Sequence, residues 1–250
     1  MTIFGKKVHI IFSLFLWALV WEVVGHTGWF DIFPPLTEIF KAGLEIVPTD
    51  KFHNAMSITL HAYFVGMGLA VLIGIPLGSL MGYSKVVDQL VGTWVNIFVS
   101  APLTAIVPVL MVLFGIGQTT VIASVFMFAI WVIVLDTRAG VKSVNPSLPE
   151  MAFSFGANGW TVFTRIYLLA ALPEVLAGIR MGLIRAVKGV VIGQLLVAIM
   201  GIGELFELYS RNFLFEEFWA LLLMVFAFAF ATAEAVGYVE RRVEFYASAR

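Results

Sequence analysis

The sequence contains no cysteine and little charge. Without cysteine among its 250 residues, the chain can form no disulfide, no cysteine-ligated zinc site and no thiol nucleophile. Charged residues make up only 12% of the chain, about half the share of a soluble domain, whereas hydrophobic residues make up 61%. The formal net charge of −1 offers no basic field for nucleic acid. This composition indicates an integral membrane protein.

Metal ligands are also few. The four histidines show no metal-type spacing, so we predict no metal site; they are His9, His26, His53 and His61. No recognisable catalytic constellation accompanies them, and we predict no catalytic residue.

Long apolar runs occur six times along the chain. A spanning helix needs about 20 mostly apolar residues, and lipid forces each segment to satisfy its own backbone hydrogen bonds. The predicted spans are residues 8–26, 56–82, 90–115, 119–136, 174–200 and 218–239. We therefore predict an all-α polytopic membrane protein with about six transmembrane helices, forming one domain over residues 1–250.

Lysine and arginine are distributed unevenly between the predicted loops. With the N-terminus inside, the outer side holds only Lys41, Lys51 and Arg211. The basic residues near the inner side are Lys6, Lys7, Lys85, Arg138, Lys142, Arg165, Arg241, Arg242 and Arg250. Because cytoplasmic loops are enriched in lysine and arginine, we expect both termini in the cytoplasm.

The largest predicted cytoplasmic loop, residues 137–173, carries helical signals. Glu150 suits the first turn of a helix, and Gly156 with the Asn158-Gly159 pair interrupts the pattern. One apolar helical face follows, formed by Trp160, Phe163, Ile166, Tyr167 and Ala170. The pattern predicts two short helices joined by a bend. An amphipathic helix resting on lipid headgroups is an alternative interpretation.

The same loop resembles the EAA loop of ABC-importer permeases. That motif reads E-A-A, three residues, G, nine residues, I-x-L-P, and this chain has Glu150, Ala152, Gly156 and Ile166 at matching positions. Met151 replaces the first alanine and Leu169 replaces the proline. Residues 100–120 and 178–205 also resemble the nitrate/sulfonate/taurine branch of this family. The likeness covers residues 55–245.

The resemblance implies a type I importer permease fold whose loop 147–168 is a coupling helix docked on a separate ATPase. The residues implied to contact that ATPase are Glu150, Ala152, Gly156, Ala157 and Asn158. The chain has no G-x-x-x-x-G-K-[ST] motif, so it would hold no cofactor and catalyse nothing itself; ATP and Mg would bind the ATPase.

Family resemblance also implies the partners and the location. The partners are a second copy of the chain, two cytoplasmic ATPases, an extracytoplasmic solute-binding protein and a small solute, in a bacterial inner membrane. The branch favours organic or inorganic anions such as nitrate, sulfonate, taurine or bicarbonate. Two alternatives stay open: a permease of the same family for an aromatic acid or a vitamin or pyrimidine precursor, and an ATP-independent channel or secondary transporter.

Two sets of residues within the spans invite functional interpretation. Small residues recur every fourth position in the second span and predict close helix packing, at Gly66, Ala70, Gly74, Gly78 and Gly82. Polar residues that could line a solute pathway are Ser100, Thr104, Lys188 and Gln194. Lys188 has a structural alternative, an ion pair with Glu234 or Glu22.

Overall fold

The computed structural model describes residues 2–3, 6–7, 10–28, 32–197 and 199–248. Residues 8–9 of the first predicted span, residue 198 of the fifth and both chain ends lie outside these ranges. Two short strands, β1 (Thr2–Ile3) and β2 (Lys6–Lys7), pair antiparallel. The regular structure of the remaining described residues is helical.

Twelve α-helices follow in chain order within the described residues. They are α1 (Ile10–His26), α2 (Leu36–Ile46), α3 (Asp50–Tyr83), α4 (Lys85–Ser100), α5 (Val107–Phe114), α6 (Gln118–Lys142), α7 (Ser147–Ser154), α8 (Gly159–Val162), α9 (Leu168–Ala170), α10 (Leu172–Val197), α11 (Gly201–Arg211) and α12 (Phe215–Ser248). A 3₁₀ turn, Leu103–Ile106, precedes α5, and a π-helical turn, Phe163–Tyr167, joins α8 to α9.

Three of the helices are long and apolar enough to cross a membrane without interruption: α3, α6 and α12. Two bent pairs add up to two further crossings, because α4 with residues 103–114 bends by 99° and α10 with α11 bends by 58°. The described part of the chain therefore offers up to five crossings, and α1 contributes a shorter apolar helix over residues 12–26.

The predicted third span, residues 90–115, was wrong as one continuous helix. Helix α4 ends at Ser100, and Ala101 adopts an extended conformation before Pro102. Proline disfavours the helical conformation of the residue before it and cannot donate a backbone hydrogen bond, so the chain turns here. The predicted outer segment 201–217 also contains regular structure, the amphipathic helix α11.

Helix α6 lies at the centre of the bundle, between α3 and α10. On the α3 side, a Cβ added at Gly66, Gly78 or Gly82 would lie within 2.8 Å of α6 atoms. Real Cβ contacts are never this short, so these positions let the two backbones approach closely. The ridge of small residues predicted in the second span thus faces α6.

A second ridge on α10 meets the opposite face of α6. An added Cβ at Gly178, Gly182 or Gly189 would lie 2.9 Å from α6 atoms, and one at Gly193 would lie 3.2 Å from the Cβ of Ser124. The sequence analysis missed this ridge, although glycines at intervals of four, seven and four residues are visible in the sequence. At these positions α3 and α10 therefore contribute no side chain that would hold them away from α6.

The C-terminal end of α1 is held to the rest of the chain by a small polar and aromatic cluster. The Glu22 carboxylate accepts hydrogen bonds from the Thr37 backbone N–H (3.1 Å) and the Thr37 hydroxyl (2.7 Å), near the N-terminus of α2. The Trp21 indole donates to the Pro34 carbonyl (3.1 Å) and packs edge-on to Trp219, with ring centroids 5.1 Å apart. These contacts fix the position of α2 beside α12.

Candidate functional site

The predicted coupling loop begins with α7 and a tight turn. The Gly156 N–H donates to the Phe153 carbonyl (2.9 Å), and the Ala157 N–H donates to the Ala152 carbonyl (3.0 Å). Gly156 has φ of +82°, in the left-handed region that favours glycine. These two bonds with a left-handed glycine form a Schellman motif, which closes the C-terminus of a helix by its own backbone.

This turn gives the E-A-A, three residues, G spacing a physical meaning. Ala152 supplies the carbonyl bonded across the turn, and Gly156 stands four residues later, where the backbone must adopt positive φ. Asn158 then starts α8, because its side-chain oxygen accepts a hydrogen bond from the Thr161 N–H (2.8 Å). The two short helices predicted around a bend are present, and the bend spans residues 155–158.

The outward side of the bend is apolar. Phe155 is 86% exposed and Trp160 is 73% exposed, and Met151 and Phe153 are also exposed. Glu150, Gly156 and Asn158 are exposed as well, while Ala152 and Ala157 are half-buried. We call Met151, Phe153, Phe155 and Trp160 the bend patch. A cluster of large exposed apolar side chains on a turn is typical of a surface that binds another protein or a membrane.

An aromatic cluster fixes the loop to the end of α3. The Tyr83 ring packs edge-on against Phe163 (5.2 Å between centroids) and Tyr167 (5.3 Å). Phe163 and Tyr167 are four residues apart in the π-helical turn and therefore lie on one face. A displacement of the bend would be transmitted to α3 through these rings and to α10 through the chain itself.

Among the predicted pathway residues, Ser100 and Thr104 flank the break between α4 and α5, and both are exposed. An interruption in a membrane helix frees backbone groups that need water or protein partners. The break is therefore compatible with an aqueous surface.

Lys188 is exposed on α10, and no carboxylate of the described residues lies within ion-pair distance of it. Its predicted structural partners are engaged elsewhere. Glu234 pairs with Arg180 (3.1 Å) and Arg241 (3.3 Å), and Glu22 binds Thr37. The alternative of a Lys188 pair with Glu234 or Glu22 was wrong.

Gln194 does not line an open surface, and the expectation that it does was wrong. Its side chain is 0% exposed, and its amide lies 3.0 Å from the Thr59 hydroxyl on α3. Thr59 also accepts a hydrogen bond from the Ile202 N–H (3.0 Å) at the start of α11. Gln194 therefore belongs to a buried contact between α3 and the bend of α10 and α11. The sequence analysis did not identify Thr59, which lies 135 residues away.

Broken crossings packed closely around α6, together with the hydrogen-bonded turn at residues 152–157, are the architecture of a membrane permease of the type I importer fold. A solved structure, "Inward facing conformations of the MetNI methionine ABC transporter", superposes with a TM-score of 0.65 at 22% identity, covering 74% of this chain and 93% of that one. This likeness concerns the fold.

Residues 70–245 match the family described as binding-protein-dependent transport system inner membrane component, and the chain belongs to this family. It is a multi-pass inner-membrane permease component and not itself a catalyst. Membership implies ATPase and binding-protein partners.

Two curated relatives show how widely the family's solutes vary. The chain is 30% identical to the taurine transport system permease protein TauC of Escherichia coli over 175 residues, 68% of this chain and 64% of the relative. It is 26% identical to the formylaminopyrimidine transport permease protein ThiX of Halalkalibacterium halodurans over 194 residues, 77% of each chain.

Proposed function

We propose that this chain is the permease of an ATP-driven importer for a small anion, coupled through residues 147–168 to a separate ATPase that binds ATP and Mg. Both termini lie in the cytoplasm, and two copies of the chain enclose the solute pathway. The observation that carries the proposal is the bend patch, a solvent-facing apolar surface on a turn that is closed by its own hydrogen bonds.

The bend is suited to transmit force to the membrane helices. A Schellman motif holds its shape without help from a partner, so contact with the ATPase need not order it first. The contacts of the Tyr83 ring with Phe163 and Tyr167 link the bend to α3, and the chain continues from it through α8 and α9 into α10. ATP-dependent closure of the ATPases would thereby bias the permease between two states.

Truncating the most exposed aromatic of the bend patch tests the ATPase contact. Buried aromatic anchors dominate protein interfaces, so Phe155→Ala should weaken ATPase co-purification by at least about tenfold. Phe213→Ala is the matched control, because Phe213 is also exposed but lies in the predicted outer segment. Undiminished co-purification of the Phe155 variant would refute the coupling role and would favour an ATP-independent transporter.

The position of Lys188 supports an aqueous pathway. It lies sixteen residues from the start of α10 and nine from its end, so it stands about 24 Å and about 14 Å from these ends. A cation exposed in the middle of a membrane helix is costly toward lipid and normally faces a bundle interior or water. The exposed face of α10 should therefore meet a second copy across a water-filled cavity.

A cation that pairs with no carboxylate in the described part of the chain, beside that cavity, favours an anionic solute, and the similarity to a taurine permease supports this choice. The similarity to a formylaminopyrimidine permease favours a second candidate, a pyrimidine precursor. Uptake over a panel containing both kinds of solute distinguishes them.

Replacing Lys188 tests the anion proposal. A charge-assisted contact contributes about 1.5–3 kcal/mol, so Lys188→Gln should raise the half-saturation concentration for an anionic solute at least about tenfold, and Lys188→Arg should largely preserve it. Lys85→Gln, at an exposed lysine of the first turn of α4, should leave uptake unchanged. Equal uptake kinetics in the glutamine variant and the parent protein would exclude Lys188 from solute binding.

A further inference from the structure

An apolar groove lies between α2 and α12, on a face that the proposed transport cycle does not use. Its volume is about 730 Å³. Helix α2 lines it with Phe40 (69% exposed) and Leu44 (62% exposed), and α12 lines it with Leu223, Met224 and Ala227. We call this cavity the α2–α12 groove.

The floor of the groove is formed where small residues of α2 and α12 are in contact. A Cβ added at Gly43 would lie 3.2 Å from the terminal methyl of Met224 and 3.7 Å from the Cβ of Ala220. The helices approach closely here, while the larger side chains of α2 stand along the rim. The outer anchoring of Thr37 by Glu22 holds α2 in this position.

The position of the groove along the membrane normal follows from the segment of α12 that lines it. The helix begins with Phe215, Glu216 and Glu217 at the predicted outer surface, and the lining segment from Ala220 starts about 5 Å further along the axis. That segment ends at Ala227, about 10 Å deeper. The groove therefore lies in the outer half of a hydrocarbon core about 30 Å thick.

One positively charged side chain also lines the α2–α12 groove. Lys41 is the charged residue among the groove-lining side chains and is exposed; the neighbouring carboxylates Glu38 and Glu45 of α2 do not line the groove, and no described carboxylate lies within ion-pair distance of Lys41. The Thr37 hydroxyl, also at the groove, is committed to Glu22. A lysine stem can lie along apolar surface while its ammonium reaches the headgroup level.

We propose that the α2–α12 groove binds an anionic phospholipid of the outer leaflet, with an acyl chain in the groove and the phosphate paired to Lys41. The apolar walls suit a hydrocarbon chain, and the single cation is complementary to a phosphate. A second copy of the chain fits less well. A two-fold contact through this groove would bring the Lys41 residues of both copies to one apolar interface.

Native mass spectrometry of the full permease–ATPase complex tests this site. The complex is extracted from vesicles of phosphatidylcholine, or of phosphatidylcholine with phosphatidylglycerol, and retained lipid is counted. A lysine near a membrane surface contributes about 1 kcal/mol toward an anionic lipid, so Lys41→Gln should lower retained phosphatidylglycerol about fivefold and leave phosphatidylcholine unchanged. Lys51→Gln, at an exposed outer lysine off the groove, should retain the parent level.

A second variant blocks the groove itself. Ala227→Phe places a ring in the cavity and should reduce the retention of both lipids, whereas Ala231→Phe, on the exposed surface one turn further, should not. Parental lipid retention in both groove variants would overturn the proposal. Efficient disulfide cross-linking of two permeases through Ala227→Cys would overturn it too, because it would make a second copy the occupant.

Discussion

The Gly66→Val variant is expected to lose about 3 kcal/mol of folding free energy and most of its extractable folded protein. The new Cβ would lie 2.6 Å from the Cβ of Val125 and 2.8 Å from the Ile122 carbonyl oxygen. The carbonyl belongs to the backbone of α6 and cannot move aside without separating the helices. Overpacking of this kind typically costs 1–3 kcal/mol and occasionally more. The measurement is the apparent melting temperature of the purified complex in detergent.

The same helix supplies a matched control. Gly68 lies two residues away, and an added Cβ there would meet nothing within 4 Å. Gly68→Val should therefore melt within a few degrees of the parent protein. If the two variants melt alike, the close contact between α3 and α6 does not stabilise the bundle.

The Gly156→Val variant is expected to uncouple transport while leaving the membrane bundle intact. A branched side chain in the left-handed region costs about 1–2 kcal/mol, which lowers the equilibrium constant for forming the correct turn about tenfold. Solute uptake and binding-protein-stimulated ATPase activity should fall to a similar extent. The melting temperature should be unchanged, since an added Cβ at this position would contact nothing within 4 Å.

Asparagine at the same position separates backbone conformation from side-chain bulk. It tolerates the left-handed conformation better than other non-glycine residues. Gly156→Asn should therefore keep uptake within about twofold of the parent protein. Full activity of the valine variant would contradict the proposed coupling role of the turn. Equal loss of activity in both variants would indicate that the ATPase contact tolerates no side chain at residue 156.

The sequence predicts the three uninterrupted crossings well because their signal is local. The apolar runs at residues 56–82, 119–136 and 218–239 lie within α3, α6 and α12. It predicts the bend at residues 155–158 for the same reason, since Gly156 and Asn158 act through hydrogen bonds to residues close in sequence. Hydropathy alone does not register the helix break at Pro102, because the residues around it remain apolar.

The interpretations that were wrong concerned residues whose contacts are made with residues far away in the sequence. Gln194 is buried because Thr59 of α3 meets it across 135 residues of sequence. Lys188 does not pair with Glu234 because Arg180 lies beside that carboxylate, where Gly237 leaves room for its guanidinium. The sequence contains several carboxylates and several cations. Which of them form ion pairs is decided by the packing of the helices.

The self-closed bend has a consequence for how such transporters diversify. Its shape depends on two backbone hydrogen bonds and one glycine, whereas the side chains of Met151 and Phe155 are exposed and take part in neither bond. Those exposed side chains can be replaced without changing the backbone conformation of the bend. Because residues 147–168 are proposed to dock on the ATPase, engineered substitution at these exposed positions should change which ATPase the permease binds while leaving the shape of the bend intact.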